Sequence, residues 1–170
     1  YSGGGKILIE KFRNKTSTNS LIYDYSLSLN HKHLPEIKRW APLNNNPVFV
    51  PCVGNYFRGM IVRILLPYLS YNRKSSFDDI FQCLAEHYRG ENFVKVIDNS
   101  SAKISEINPQ DLNHTNNMNI LISADEKKEN IALIAQFDNL GKGASRQALQ
   151  TLSILIDKDE KLANNKQMDE

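Results

Sequence analysis

Two histidines that stand two positions apart form the sharpest chemical cluster in this sequence. His31 and His33 come just before a proline, and Glu36 follows His33 by three residues. Histidine gains or loses a proton near neutral pH, and a neighbouring carboxylate can orient its ring, so this spacing suits a general acid/base. The plain alternative is a loop histidine that only caps a helix or forms local hydrogen bonds. A metal site is not predicted, because no third ligand stands at a suitable spacing.

A glycine-lysine-glycine turn is the second candidate. The apolar run 131–137 predicts a strand, and the apolar residues of 144–156 recur at helical spacing. A turn between such elements aims backbone N–H groups, the charge of Lys142 and the helix dipole at one point, which suits an anion or a polar cofactor ring. In the alternative, the glycines only allow a tight connection, and Asp138 or Asn139 accepts hydrogen bonds from the turn amides.

The remaining reactive side chains give weaker signals. Arg58 stands where a strand begins, and it could bind a carboxylate or phosphate through two hydrogen bonds or simply be exposed there. His87 and His114 are predicted to be structural or to face solvent. Cys52 and Cys83 are predicted to be buried, reduced thiols, which favours the cytoplasm as the compartment.

Composition limits the class of protein. The chain has 170 residues, 41% of them hydrophobic, and a net charge of +2, as expected for an ordinary globular domain. The charge is too balanced, and the lysines and arginines too dispersed, for a nucleic-acid partner. No apolar run reaches the roughly 20 residues that cross a bilayer, and no signal-peptide pattern opens the sequence, so a membrane partner is not predicted either.

The predicted fold class is α+β, a mainly antiparallel mixed sheet with about three helices packed on one face. Strands are predicted at residues 21–29, 48–53, 60–66, 93–97, 119–123 and 131–137. Helices are predicted at residues 6–12, 35–40, 77–88 and 144–156. Ser75 or Ser76 is expected to cap the helix that Gly90 ends. The polar stretch 98–118 is predicted to be a loop.

Four motifs occur in an order that resembles a known family. They are the residues 1–6 (YSGGGK), 31–36 (HKHLPE), 51–60 (PCVGNYFRGM) and 138–145 (DNLGKGAS). Together they resemble the C-terminal part of the N-acetyl-gamma-glutamyl-phosphate reductase family, in its shorter type 2 form, within the semialdehyde dehydrogenase superfamily. The resemblance covers nearly the whole chain, up to about Ile156.

The resemblance implies an enzyme of arginine biosynthesis. Members of the family reduce N-acetylglutamyl phosphate, a small-molecule acyl phosphate, to its semialdehyde with NADPH. A Rossmann domain carries the NADP(H), and a cysteine attacks the acyl phosphate. A histidine of the second domain assists the thioester and thiohemiacetal chemistry, and that domain also builds a homodimer or homotetramer.

The resemblance also assigns roles to three groups of residues. His31 or His33 would be the acid/base, with Glu36 orienting it. The residues against the nicotinamide would be Asn139, Leu140, Gly141 and Gly143. The residues near the substrate or its phosphate would be Ser2, Gly3, Arg58 and Lys142.

Two departures from the family pattern stand out. Arg146 replaces a usual glycine, so its side chain either crowds the cofactor side or points outward along the helix. There is also no Gly-x-Gly-x-x-Gly unit, and neither cysteine lies in a nucleophile motif; in the family those parts precede the segment that begins at Tyr1. We therefore expect a catalytic and dimerisation domain at residues 1–156, a polar tail at 157–170, and a Rossmann domain outside this chain, without which the chain is inactive.

Two other functions fit the same residues. One is a non-enzymatic oligomerisation or regulatory module that keeps the fold. The other is a reductase for a different acyl phosphate or semialdehyde.

Overall fold

The computed structural model describes residues 5, 6, 10, 22–67 and 75–156, and the chain divides into two compact units, Tyr1–Phe57 and Arg58–Glu170. In the first unit, Lys6 and Glu10 lie in a helix, which agrees with the helix predicted at residues 6–12. The rest of that helix lies outside the described residues. The other elements of this unit are β1 (Ile22–Asp24), α1 (Leu34–Trp40) and β2 (Cys52–Gly54). The two strands pair antiparallel, with Tyr23 opposite Val53.

The strand predicted at 21–29 is wrong over its second half, because the chain turns after Tyr25. Ser26 and Leu29 have φ angles of 55° and 56°, and the Leu29 N–H donates to the Ser26 carbonyl at 3.0 Å. Left-handed backbone at non-glycine residues ends a strand. Leu27 and Leu29 are 69% and 48% exposed, so the alternation of apolar residues continues through a turn that does not bury them.

A four-stranded mixed sheet forms the second unit. Its strands are β3 (Met60–Leu66), β4 (Val94–Asp98), β5 (Met118–Ala124) and β6 (Ile131–Phe137), in the order β3-β6-β5-β4. β6 runs antiparallel to both of its neighbours, and only β4 and β5 are parallel. The predicted α+β class with a mainly antiparallel mixed sheet is confirmed, and so is the hairpin of β5 and β6.

One face of this sheet packs against α2 (Phe77–His87). Ser76 begins the helix with a capping box, in which its hydroxyl accepts from the Asp79 N–H and Asp79 accepts from the Ser76 N–H. Gly90, with a φ of 84°, follows the end of the helix, as predicted. The core holds the buried residues Phe77, Ile122 and Ile131, around which pack Leu66, Ile80, Phe81, Leu84, Val96 and Leu133.

A short helix and a long irregular segment lie on the opposite face. α3 (Asn99–Ala102) is the only regular element within the predicted loop. The Asn99 amide donates to the Ser123 hydroxyl at 3.0 Å, and the Gln136 amide donates to the Asn108 carbonyl at 2.6 Å. Side chains of the sheet therefore hold this segment through polar contacts.

The last helix, α4 (Arg146–Leu155), presents its apolar stripe to solvent. Leu152 and Leu155 are 52% and 77% exposed, whereas Arg146 and Gln150 are buried. The alternative in which Arg146 points outward is therefore wrong. On the inward face of this helix, Gln150 accepts hydrogen bonds from the buried Asn116 and the half-buried Lys142.

The prediction of buried thiols is wrong, since both cysteines are exposed. Cys52 lies on the two-stranded ribbon β1–β2, where burial alternates and the next residue, Val53, faces inward. Cys83 stands beside the buried stripe of α2 rather than on it, between the exposed Gln82 and the half-buried Leu84.

Candidate functional site

The predicted histidine cluster lies at the start of α1, within the first unit. His33 is the N-cap residue, Pro35 lies in the first turn, and the Ile37 N–H donates to the His33 carbonyl at 2.9 Å. Proline suits this position because its fixed φ is helical and its missing N–H would have no partner in the helix. The helix start therefore holds the backbone of the cluster in place.

His33 forms an imidazole–carboxylate pair with Glu36. Its Nδ1 lies 2.8 Å from the Glu36 Oε2, and the two side chains are 50% and 67% exposed. A carboxylate only accepts, so Nδ1 must carry the proton, and the neutral ring then has its lone pair on Nε2. This arrangement fixes the ring orientation and leaves the Nε2 lone pair for proton transfer.

His31 has a different environment from His33. Its Nδ1 accepts the backbone N–H of His33 at 3.2 Å, and its ring contacts those of Tyr25 and Phe49. His31 is half-buried, whereas His33 is exposed. The two histidines are thus next to each other but are not equivalent.

In the second unit, the buried carboxylate of Asp138 joins two distant parts of the chain. Its Oδ2 accepts from the Arg58 Nη1 at 3.2 Å and from the His114 N–H at 2.8 Å. Its Oδ1 accepts from the N–H groups of Leu140 and Gly141 at 2.9 and 3.0 Å. Asp138 is fully buried, so these four hydrogen bonds replace all of its hydration.

Arg58 and Asn139 connect β3 to the turn after β6. Arg58 also contacts His114, whose Nδ1 lies 3.1 Å from the same Nη1 that donates to Asp138. The Asn139 Oδ1 accepts the Gly59 N–H at 2.9 Å. Gly59 has a φ of 110°, and a Cβ there would meet the Pro109 carbonyl, so glycine is required for this close approach.

The glycine-lysine-glycine turn is a π-helical turn, Gly141–Ser145, that leads into α4. Its amides are used within the turn: Gly143 donates to the Asp138 carbonyl at 2.9 Å and Ser145 to the Leu140 carbonyl at 3.2 Å. Together with the Asp138 side chain, these bonds match the alternative in which the glycines allow a tight connection and an aspartate accepts the turn amides. Gly143 is nevertheless exposed and Leu140 is half-buried, so part of the turn faces outward.

Lys142 belongs to a polar network under α4. Its Nζ donates to the Gln150 Oε1 at 3.0 Å and lies 5.7 Å from the centroid of the Phe93 ring. The amide of Asn116, which is fully buried, donates to the same Gln150 oxygen at 2.8 Å. This shared acceptor explains why polar residues of α4 face inward.

Within the described ranges, no three histidine, cysteine or acidic side chains come together as a metal site would require. Of the helices in the same ranges, none is long and apolar enough to span a membrane.

Comparison with known families decides the classification. The profile described as "Semialdehyde dehydrogenase, dimerisation domain" matches residues 1–139. The chain belongs to this family. The matched residues include both the His33–Glu36 pair and the Asp138–Asn139 turn.

Individual relatives of this semialdehyde dehydrogenase dimerisation domain carry one name. "N-acetyl-gamma-glutamyl-phosphate reductase" of a Chelativorans strain is 34% identical over 92% of this chain and 51% of its own length. The reductase of the same name from Trichormus variabilis is also 34% identical, over 95% of this chain and 53% of its own length. The chain spans about half the length of the curated relatives it matches, and the predicted resemblance is confirmed.

The structure brings some of the predicted site residues of this semialdehyde dehydrogenase domain together, and two others lie outside the described residues. His31, His33 and Glu36 form one cluster. Arg58 and the turn residues Asn139, Leu140 and Gly141 meet around Asp138, as described above. Ser2 and Gly3 lie outside the described residues, so their predicted roles stay predictions.

Sequence reasoning missed three participants. Tyr25 and Phe49 contact His31 but have no motif of their own, and only their aromatic type could have suggested a ring contact. His114 was assigned to solvent or structure, and it is exposed, but its contact with Arg58 was not predicted. A contact across 56 positions leaves no spacing signal in one sequence.

Proposed function

We propose that this chain is the catalytic and dimerisation half of an N-acetyl-gamma-glutamyl-phosphate reductase, which reduces N-acetylglutamyl phosphate to the semialdehyde with NADPH in the cytoplasm. The observation that carries the proposal is the His33–Glu36 pair. Its geometry suits an acid/base, and it lies in one of the motifs by which the chain resembles the reductases. Fold alone would not support a reaction, because one fold hosts many functions.

His33 is the proton-transfer group in this proposal. Its Nε2 takes the proton of the attacking cysteine thiol as the thioester forms and phosphate leaves. The same nitrogen later donates a proton to the carbonyl oxygen as charge develops there. Glu36 holds the ring in the required tautomer and stabilises its charged form, a role worth about 10²–10⁴-fold together with the base. NADPH, when bound, supplies the hydride.

Part of the π-helical turn fits a cofactor surface. Gly141 is buried, and a Cβ there would meet Asp138 and the Thr115 carbonyl, so this glycine supports the turn from inside. Leu140 and the exposed Gly143 are the predicted cofactor residues that the turn presents outward. We propose that these two, with Asn139, contact the nicotinamide side of NADP(H).

The cations predicted to bind substrate are both engaged in the second unit. Arg58 contacts Asp138 and His114, and Lys142 contacts Gln150. An arginine held by a buried carboxylate is preorganised, and its guanidinium carries five donors in all. We propose that Arg58 and Lys142 contribute positive potential to the substrate phosphate, as the resemblance implies.

The proposal places the NADP-binding Rossmann domain and the cysteine in the same native protein as this chain. The exposed apolar stripe of α4 (Ala148, Leu152 and Leu155) is a surface that this domain would cover. The mass of the intact native protein tests this arrangement. A mass near twice the chain's 19.4 kDa supports it, and a mass of 19.4 kDa would favour a non-enzymatic module or a two-chain enzyme.

Self-association is proposed for strand β3. Val62, Ile64 and Leu65 are 41%, 52% and 70% exposed, so this strand presents apolar side chains on both faces of the sheet. The family description names a dimerisation domain, which supports a second copy as the partner. Sedimentation of the wild type should show dimers or tetramers, and Leu65→Lys should shift them toward monomer. The matched variant Leu27→Lys changes an exposed leucine elsewhere, and a wild type that stays monomeric at high micromolar concentration contradicts the proposal.

Kinetics of histidine variants test the catalytic role. In the native protein, His33→Asn should lower kcat by about 10²–10⁴-fold, because the proton-transfer group is lost. His87→Asn makes the same change on the exposed side of α2 and should have little effect. Equal activity of the two variants would contradict the role of His33. The 170-residue chain alone should not consume NADPH.

A further inference from the structure

Two aromatic side chains hold the ring of His31. The ring centroids of His31 and Phe49 lie 5.1 Å apart at an interplanar angle of 76°, and those of His31 and Tyr25 lie 5.7 Å apart at 64°. Edge-to-face contacts in this range are attractive. Tyr25 is itself fixed, because its N–H donates to the Pro51 carbonyl at 3.0 Å beside the β1–β2 pair. The short ribbon therefore sets where His31 lies.

The hydrogen bond of His31 makes it a poor proton-transfer group. Its Nδ1 accepts the His33 N–H, so the neutral ring must carry its proton on Nε2. The lone pair that a general base needs is already used by the backbone. Protonation of that nitrogen would set two N–H groups against each other and break the contact. His33, in contrast, keeps its lone pair on Nε2, because Glu36 takes the Nδ1 proton.

We propose that His31 is a positioning residue and that Tyr25 and Phe49 position it in turn. The chain of contacts runs from the two aromatic rings to His31, then to the His33 backbone, and so to the imidazole that faces Glu36. His31 also accepts the Leu34 N–H through its carbonyl at 3.0 Å, which fixes both its backbone and its ring to the start of α1. The proposal rests on the proposed function, in which His33 is the acid/base, and it gives His31 a separate role beside it.

The opposite tautomers of the two rings give a spectroscopic test. Long-range proton–nitrogen correlation spectra of the 170-residue chain, recorded where both rings are neutral, should show His31 as the Nε2–H form and His33 as the Nδ1–H form. In the Phe49→Ala variant the His31 ring should become mobile, so its nitrogen signals should average between those of the two tautomers. Trp40→Ala removes an aromatic ring that is 76% exposed at the end of α1 and should leave the His31 signals unchanged. A His31 ring in the Nδ1–H form overturns the proposal.

Kinetic rescue separates positioning from proton transfer. In the native reductase, His31→Ala should lower kcat by about 10–100-fold through misplacement of His33, with KM nearly unchanged. His31→Asn offers an amide oxygen in place of Nδ1 and should recover most of that loss, although asparagine cannot transfer protons. If His31→Asn is as inactive as His33→Asn, His31 is itself the acid/base and the proposal is wrong. A wild type without reductase activity would instead refute the proposed function, and the tautomer spectra would then decide the place of His31 alone.

Discussion

Replacing Asp138 by asparagine should destabilise the second unit strongly. An asparagine Oδ1 can still accept from Leu140 and Gly141, but its amide nitrogen then faces the Arg58 guanidinium and the His114 N–H, which are also donors. Each hydrogen bond to a charged group is worth about 1.5–3 kcal/mol, so losing two should cost about 3–6 kcal/mol. An overlapping range, about 3–5 kcal/mol, is found when one partner of a buried ion pair is removed.

The control makes the same chemical change on the surface. Asp78 pairs with Lys128 at 3.0 Å, but its side chain is 72% exposed, so Asp78→Asn should cost no more than about 1 kcal/mol. Urea unfolding followed by circular dichroism gives the free energy of unfolding of both variants, and equal m-values would show that the unfolding reaction is the same. If Asp138→Asn is no less stable than Asp78→Asn, the buried carboxylate does not organise the turn and our reasoning fails.

Two further predictions concern backbone geometry and acid stability. Gly59→Ala should be less stable than Gly90→Ala by at least about 1 kcal/mol. Both glycines have positive φ, but only at Gly59 would an added Cβ meet other atoms of the chain. Equal urea midpoints of the two variants would contradict this. The pKa of Asp79 is lowered by hydrogen bonds from the backbone and side chain of Ser76. The stability that this carboxylate adds is therefore present above the ordinary carboxyl pKa of about 4, and it is lost as the pH falls through the lowered pKa. Ser76→Ala should make the free energy of unfolding less dependent on acidic pH, and it should also cost about 1 kcal/mol at neutral pH because the helix cap is lost. An unchanged pH profile of the unfolding midpoint would refute the role of Ser76 in the Asp79 pKa.

The sequence was most informative where the signal is local. The bounds of β3 and β6 match the apolar runs 60–66 and 131–137, because a continuous apolar run of seven residues is typical of a strand. The start of α1 and the His33–Glu36 contact were also predictable, since a proline and a carboxylate three residues on fix both within one turn.

The spacing of apolar residues gave wrong predictions where apolar side chains are exposed to solvent. The residues 26–29 alternate like a strand but form a turn with positive φ, which no pattern of hydrophobicity reports. In α4 the apolar residues face outward, and the inward face contains Arg146 and Gln150. Gln150 pairs with the buried Asn116, thirty-four residues earlier in the chain, and a single sequence does not reveal such a pair.

The site was predictable in its residue types but not in its division of roles. The motif contained both His31 and His33, and nothing in its spacing separates them. Their hydrogen bonds do, because one ring accepts a backbone amide and the other faces a carboxylate. The contribution of Asp138 was recognised only as a possible acceptor of turn amides, since its contact with Arg58 crosses 80 positions.

The central claim is that the native protein containing this chain is an acyl-phosphate reductase. The most direct measurement is the rate at which that purified protein oxidises NADPH when N-acetylglutamyl phosphate is added, with released phosphate counted in the same sample. We predict NADPH consumption that depends on the acyl phosphate and matches phosphate release one to one. No consumption of NADPH by a folded native protein, with either this substrate or other acyl phosphates, would contradict the account.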